Sequence, residues 1–93
     1  MRFSLNALPQ DTFDKLLTEM RSQGTAVGDA SKAPGNGVQY LIEGPTPLGV
    51  VKAAVLYYAG AQMATVVILD KPWLVSNATI EQKVRDAVAV ARG

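Results

Sequence analysis

The sequence predicts a small α+β domain, with an antiparallel meander of about four to five strands and two helices packed on one face. Three observations carry that expectation. Apolar residues recur at helical spacing over residues 13–20 and 80–91. Segments 38–42 and 51–69 are rich in β-branched and aromatic types. Between them, the longest uncharged stretch, "AAVLYYAGAQMATVVIL" at 53–69, is broken near its middle by the glycine of "AGAQ".

Taken in order, "RFSLNA" reads as a short first strand with Phe3 and Leu5 on one face. The next segment, "LPQDTFDKLLTEMRSQG", reads as a helix. Pro9 suits the first turn, where its missing N–H costs nothing. Asp11 and Asp14 lie near the positive end of the helix dipole. Phe13, Leu16, Leu17 and Met20 form one apolar face, and Gly24 stops the helix. "TAVGDASKAPGNGVQYLIEG" holds a weak strand, a turn marked by Asn36-Gly37, and a better strand in which Val38, Tyr40 and Ile42 share a face. "GPTPLG" at 44–49 has two prolines and two glycines and is expected to leave regular structure. The C-terminal "SNATIEQKVRDAVAVARG" is a second helix, capped by Ser76 or Asn77. Ile80, Val84, Ala87, Val88 and Ala91 form its apolar face, opposite Gln82, Lys83, Arg85 and Asp86.

Residues 53–69 pose a choice between one membrane helix and two strands. A membrane span needs about 20 apolar residues, and this whole stretch is 17 residues long. A helix through it would carry Tyr57, Tyr58 and Gln62 deep into the bilayer, whereas Tyr prefers the interface. A hairpin turning at Gly60-Ala61 fits better, and no membrane span is predicted. Its register puts Tyr58 opposite Met63, Leu56 opposite Thr65 and Ala54 opposite Val67. One face then carries Val51, Ala53, Val55, Tyr57, Ala64, Val66 and Ile68, and both helices are expected there. The other carries Ala54, Leu56, Tyr58, Met63, Val67 and Leu69, fringed by Lys52, Thr65, Glu43 and Gln39. A sheet face turned to water should alternate with polar residues, so its apolar centre marks either a contact surface or scattered surface apolar residues partly covered by a tail or loop of the same chain.

Composition narrows the chemistry. A chain of 93 residues supports one domain, 1–93. Hydrophobic residues make up 48% and charged ones 18%, which suits a folded chain. The net charge of +1 comes with scattered basic residues and no phosphate-tracking stripe, so nucleic acid is not an expected partner. With no Cys and no His, zinc-finger, iron–sulfur and Cys–His or Ser–His chemistry has no residues to use. No enzymatic activity, metal or cofactor is expected. The start, "MRFSLNALPQD", lacks the apolar core of a signal peptide, so a cytoplasmic location is expected.

The remaining candidates are few. Glu43 and Lys52 are expected as a surface ion pair, diagonal across a strand pair. Asp29 and Asp70 suit turns at strand ends. "PGNG" has no following helix and no Gly-Lys-Ser/Thr, so it is no phosphate loop. Trp73, the only tryptophan, is either a plug over the core edge or an interaction anchor.

Residues 49–90 contain "GVVKAAV", a glycine opening a strand hairpin, and "LDKPWLVSNATIEQKVRDAV", where Leu69 ends a strand before the helix start at Ile80-Glu81. In these features the chain resembles the polyhydroxyalkanoic acid system (granule-region) family of small bacterial proteins. The resemblance implies association with storage-polymer granules or their proteins, and it supplies no catalytic residue. The function expected from the whole is binding or assembly without catalysis. It would run through a homodimer interface at Leu56, Tyr58, Met63, Val67 and Leu69. The alternative is a protein that binds an apolar polymer or small ligand in a pocket between sheet and helices, lined by Tyr40, Tyr57 and Trp73.

Overall fold

The computed structural model describes all 93 residues. Along the chain run β1 (Arg2–Leu5), α1 (Gln10–Ser22), β2 (Ala26–Val27), β3 (Ser31–Ala33), β4 (Gly37–Thr46), β5 (Gly49–Tyr58), β6 (Met63–Asp70) and α2 (Asn77–Arg92). The class is the expected α+β, but the sheet has six strands rather than four or five. The extra strand arises because the weak edge segment is split. β2 and β3 both pair with β4, at Ile42–Glu43 and Gly37–Gln39. Between them the Gly28 amide donates to the Leu41 carbonyl at 2.8 Å, so the two pieces act as one interrupted edge strand. The other edge is β1, which pairs antiparallel with β6. The first and last strands in the chain are therefore neighbours, a pairing that local patterns cannot show.

The uncharged stretch is a hairpin of β5 and β6 in the expected register, Tyr58 opposite Met63, Leu56 opposite Thr65 and Ala54 opposite Val67. Its turn is a single 3-10 turn, Ala59–Ala61, followed by Gln62 in the left-handed region at φ 48°. The connection is thus longer than the expected Gly60-Ala61, and Gln62, not the glycine, takes the positive φ. No helix is long and apolar enough to cross a membrane.

"GPTPLG" behaves differently from the expectation. Gly44, Pro45 and Thr46 continue β4, and only Pro47 and Leu48 lie between the strands. Pro45 is tolerated because β2 reaches no further than Glu43, so no ladder on that side needs its N–H. Thr46 closes the turn: its hydroxyl donates to the Gly49 carbonyl at 2.7 Å and accepts from the Leu48 amide at 3.1 Å. Gly49 has φ 136°, and a Cβ there would lie 2.9 Å from the Pro72 ring. The tip of this hairpin therefore rests on the segment that leads into α2.

Both helices follow their apolar stripes. Pro9 is the cap of α1 rather than its first residue, and its carbonyl accepts from the Phe13 amide at 2.9 Å. Gly24, at φ 91°, ends the segment as expected. Ser76 caps α2, its hydroxyl accepting from the Thr79 amide at 3.1 Å. A cluster of 17 buried apolar residues joins the inner face of the sheet to Phe13, Leu16, Leu17 and Met20 of α1 and to Val84, Ala87, Val88 and Ala91 of α2. Both helices therefore cover the same face.

Candidate functional site

The two ends of α2 are held differently. Near its C-terminus, Arg92 donates to the carbonyls of Asn6 at 2.8 Å and Ala7 at 3.2 Å. Arg85 lies over the Phe3 ring, 5.7 Å from its centroid. Ala87 and Ala91 are small and let the helix approach the core. The N-terminal end lacks this closeness. Val75 and Ile80 are buried, yet they stand outside the 17-residue cluster. A cavity of about 520 Å³ lies between them and the sheet.

The residues around it explain its shape. Ile42, Val51, Ala53, Val66 and Ile68 of the sheet form the floor. Thr79, Ile80, Lys83, Val84 and Ala87 follow one stripe of α2 and form the roof. Met20 and Gln23, from the end of α1, close the inner side. Pro47 and Leu48 of the β4–β5 turn and Leu74 of the β6–α2 connection border the mouth, where Leu48 and Leu74 are exposed. On β4 and β5 the inward-facing side chains shrink toward the hollow, from Tyr40 through Ile42 to Gly44 and from Tyr57 through Val55 to Ala53, before Val51 restores some bulk. On β6 the order runs the other way, from Ala64 to Val66 and Ile68. The small residues on β4 and β5 are readable in the sequence once the faces are assigned, and they mark where the cavity can form.

The residues expected to line a pocket do not line this one. Tyr57 is only 2% exposed. Its ring stacks on Phe13 at 4.1 Å between centroids and 9° between planes, and its hydroxyl donates to the Leu8 carbonyl at 2.7 Å. Tyr40 is half-buried and tilts against the same Phe13 ring at 5.7 Å. Trp73 is 85% exposed, so it plugs nothing. The aromatic side chains fill their own end of the core, and the cavity lies at the other.

Burial raises the Tyr57 hydroxyl above the usual phenol range, with Asp14 and then Asp11 adding to the shift. The fold therefore favours the protonated hydroxyl. This contribution is fully present below the unfolded pKa of about 10 and is lost as pH rises through the higher folded value. Tyr57→Phe is expected to lower stability by about 1 kcal/mol at neutral pH, because the Leu8 carbonyl loses its partner. The variant should also lose less stability than the wild type between neutral pH and the alkaline range. Urea midpoints at both pH values check this, and equal alkaline losses would contradict it.

On the outer face, the expected interface residues are partly occupied within the chain. Leu56, Tyr58, Met63 and Val67 are half-buried, and Ala33 and Ala54 beside them are buried. The Tyr58 ring lies on Gly37, where an added Cβ would come within 2.5 Å of it. Leu69 is 58% exposed, and Leu41 and Val50 are exposed on the same face. Glu43 and Lys52 are directly opposed rather than diagonal, 4.0 Å apart and well exposed. Such a pair contributes little to stability.

No protein-family model, curated protein or solved structure matches the chain.

Proposed function

We propose that this chain is a non-enzymatic binding protein that holds an apolar small molecule between its sheet and the N-terminal half of α2. The observation that supports this reading is the cavity of about 520 Å³, which falls within the range of about 300–1,000 Å³ usual for ligand sites. Its walls are mainly aliphatic. A domain of this size has a total stability of about 5–15 kcal/mol. Aliphatic surface left open to water forgoes about 25 cal/mol per Å², and a fitting ligand restores that burial.

Thermal melting with decanol, a neutral apolar probe, tests the reading. At a free concentration of about 100 times Kd, a ligand adds about 2.7 kcal/mol. For a domain of this length the midpoint should rise by on the order of 10 °C. An unchanged midpoint at saturating decanol would contradict the proposal.

Assembly through the outer sheet face is the second reading, and exposed Leu41, Val50 and Leu69 favour it. A storage-polymer surface, as the family resemblance implies, would meet the same side chains. Native mass spectrometry of the purified protein separates the readings. A monomer carrying a small-molecule adduct supports the cavity, and a ligand-free dimer supports the face.

A further inference from the structure

The cavity has one charged residue among its 21 lining residues, Lys83, and no Asp or Glu. The sequence pattern sets Lys83 on the polar side of α2, but the helix turns it to the border of the hollow, between Ile80 and Val84. Neither of the two ion pairs in the structure includes it. The nearest carboxylates along the helix are already engaged. Glu81 accepts from Arg85 at 2.8 Å, and Asp86 accepts from the Gln82 amide at 2.7 Å. The other polar side chains of the lining are also satisfied within the chain, except that the Thr25 hydroxyl, which is neutral, makes no hydrogen bond there. The Ser76 hydroxyl serves the Thr79 amide and hydroxyl, the Thr46 hydroxyl closes its turn, and the Gln23 amide donates to Glu19 at 2.7 Å. Lys83 is therefore the charged group at this site with no protein partner.

Resting on the cavity reading above, we propose that the ligand is a single-tailed amphipathic anion, with an aliphatic chain on the sheet floor and a carboxylate at Lys83. The two parts of the site fit the two parts of such a molecule. Ala53, Val66 and Ile68 offer only hydrocarbon to the tail. The volume of about 520 Å³ lies in the range of small-ligand sites and leaves room for an aliphatic tail. At the mouth a carboxylate gains an ammonium with three free donors, and no acidic side chain lines the site to repel it. A neutral ligand would leave this charge unused, and a cationic one would be repelled by it.

Isothermal titration at neutral pH with decanoate, decanol and decyltrimethylammonium tests the assignment, with the two ions below their micelle concentrations and decanol below its solubility limit. The wild type should bind decanoate most tightly and the cation least. Lys83→Gln should weaken decanoate roughly fivefold and leave decanol within about twofold. Lys83→Glu should reverse the order of decanoate and decyltrimethylammonium. Lys83 is exposed, so both variants should keep the wild-type circular dichroism. Equal affinity for decanoate and decanol, with neither altered in Lys83→Gln, overturns the headgroup assignment and leaves the apolar cavity standing. Absence of binding by all three probes overturns both.

Discussion

Phe13→Ala is expected to destabilise the fold by about 3–5 kcal/mol, the usual range for deleting a buried aromatic ring. Phe13 is fully buried and sits where three parts of the core meet. Its ring stacks on Tyr57 of β5 and tilts against Tyr40 of β4, while its backbone amide makes the first hydrogen bond of α1. Truncation removes the ring that seats α1 on the sheet and leaves two tyrosine faces without a partner. Aromatic pairs contribute about 0.5–1.5 kcal/mol beyond area burial, so the upper half of the range is expected. For a domain with about 5–15 kcal/mol in total, such a loss removes about a quarter of the stability or more. Urea denaturation followed by far-UV circular dichroism measures it. A loss under about 1 kcal/mol would mean that α1 is seated by other contacts.

The parts of the fold legible in the sequence are those set by local periodicity. The β5–β6 register follows from alternation, because a one-residue slip would turn Tyr57 and Val55 to the outside. The Ser76 cap and the two apolar stripes are equally local. Other features are set at a distance. β1 beside β6 depends on where the chain returns after the 57 residues that separate the two strands, and the alternation of Phe3 and Leu5 says only that a strand is present. Pro45 inside β4 is acceptable only because its neighbour strand stops at Glu43, a fact about β2 and not about Pro45. The cavity lies away from the pocket that the sequence predicts, for a related reason. Large aromatic side chains suggested a pocket at Tyr40 and Tyr57, but large side chains fill space. The hollow forms where side chains are small, at Ala53 and Gly44, and its roof depends on the C-terminal anchoring of α2 by Arg92.

That difference between filled and empty ends gives the second large effect, a contrast between two substitutions of the same chemistry. Ala53 and Ala64 are both buried on the inner face of the sheet, on adjacent strands. Enlarging a packed position by several heavy atoms typically costs about 1–3 kcal/mol and occasionally more. Ala64 is such a position: it lies opposite both Tyr57 and Leu5, and it does not line the cavity. Ala64→Phe should therefore be strongly destabilising, at or above the top of that range. Ala53 lies between Ile42 and Ile68 and its methyl faces the hollow. A phenyl ring there has about 520 Å³ to enter, and it buries apolar surface against Ile80 and Val84 instead of displacing them. Ala53→Phe should thus leave the urea midpoint unchanged or raise it, while abolishing the decanol-induced rise in melting temperature. Equal destabilisation by the two substitutions would show that α2 closes onto the sheet in solution and that no cavity is available to a ligand.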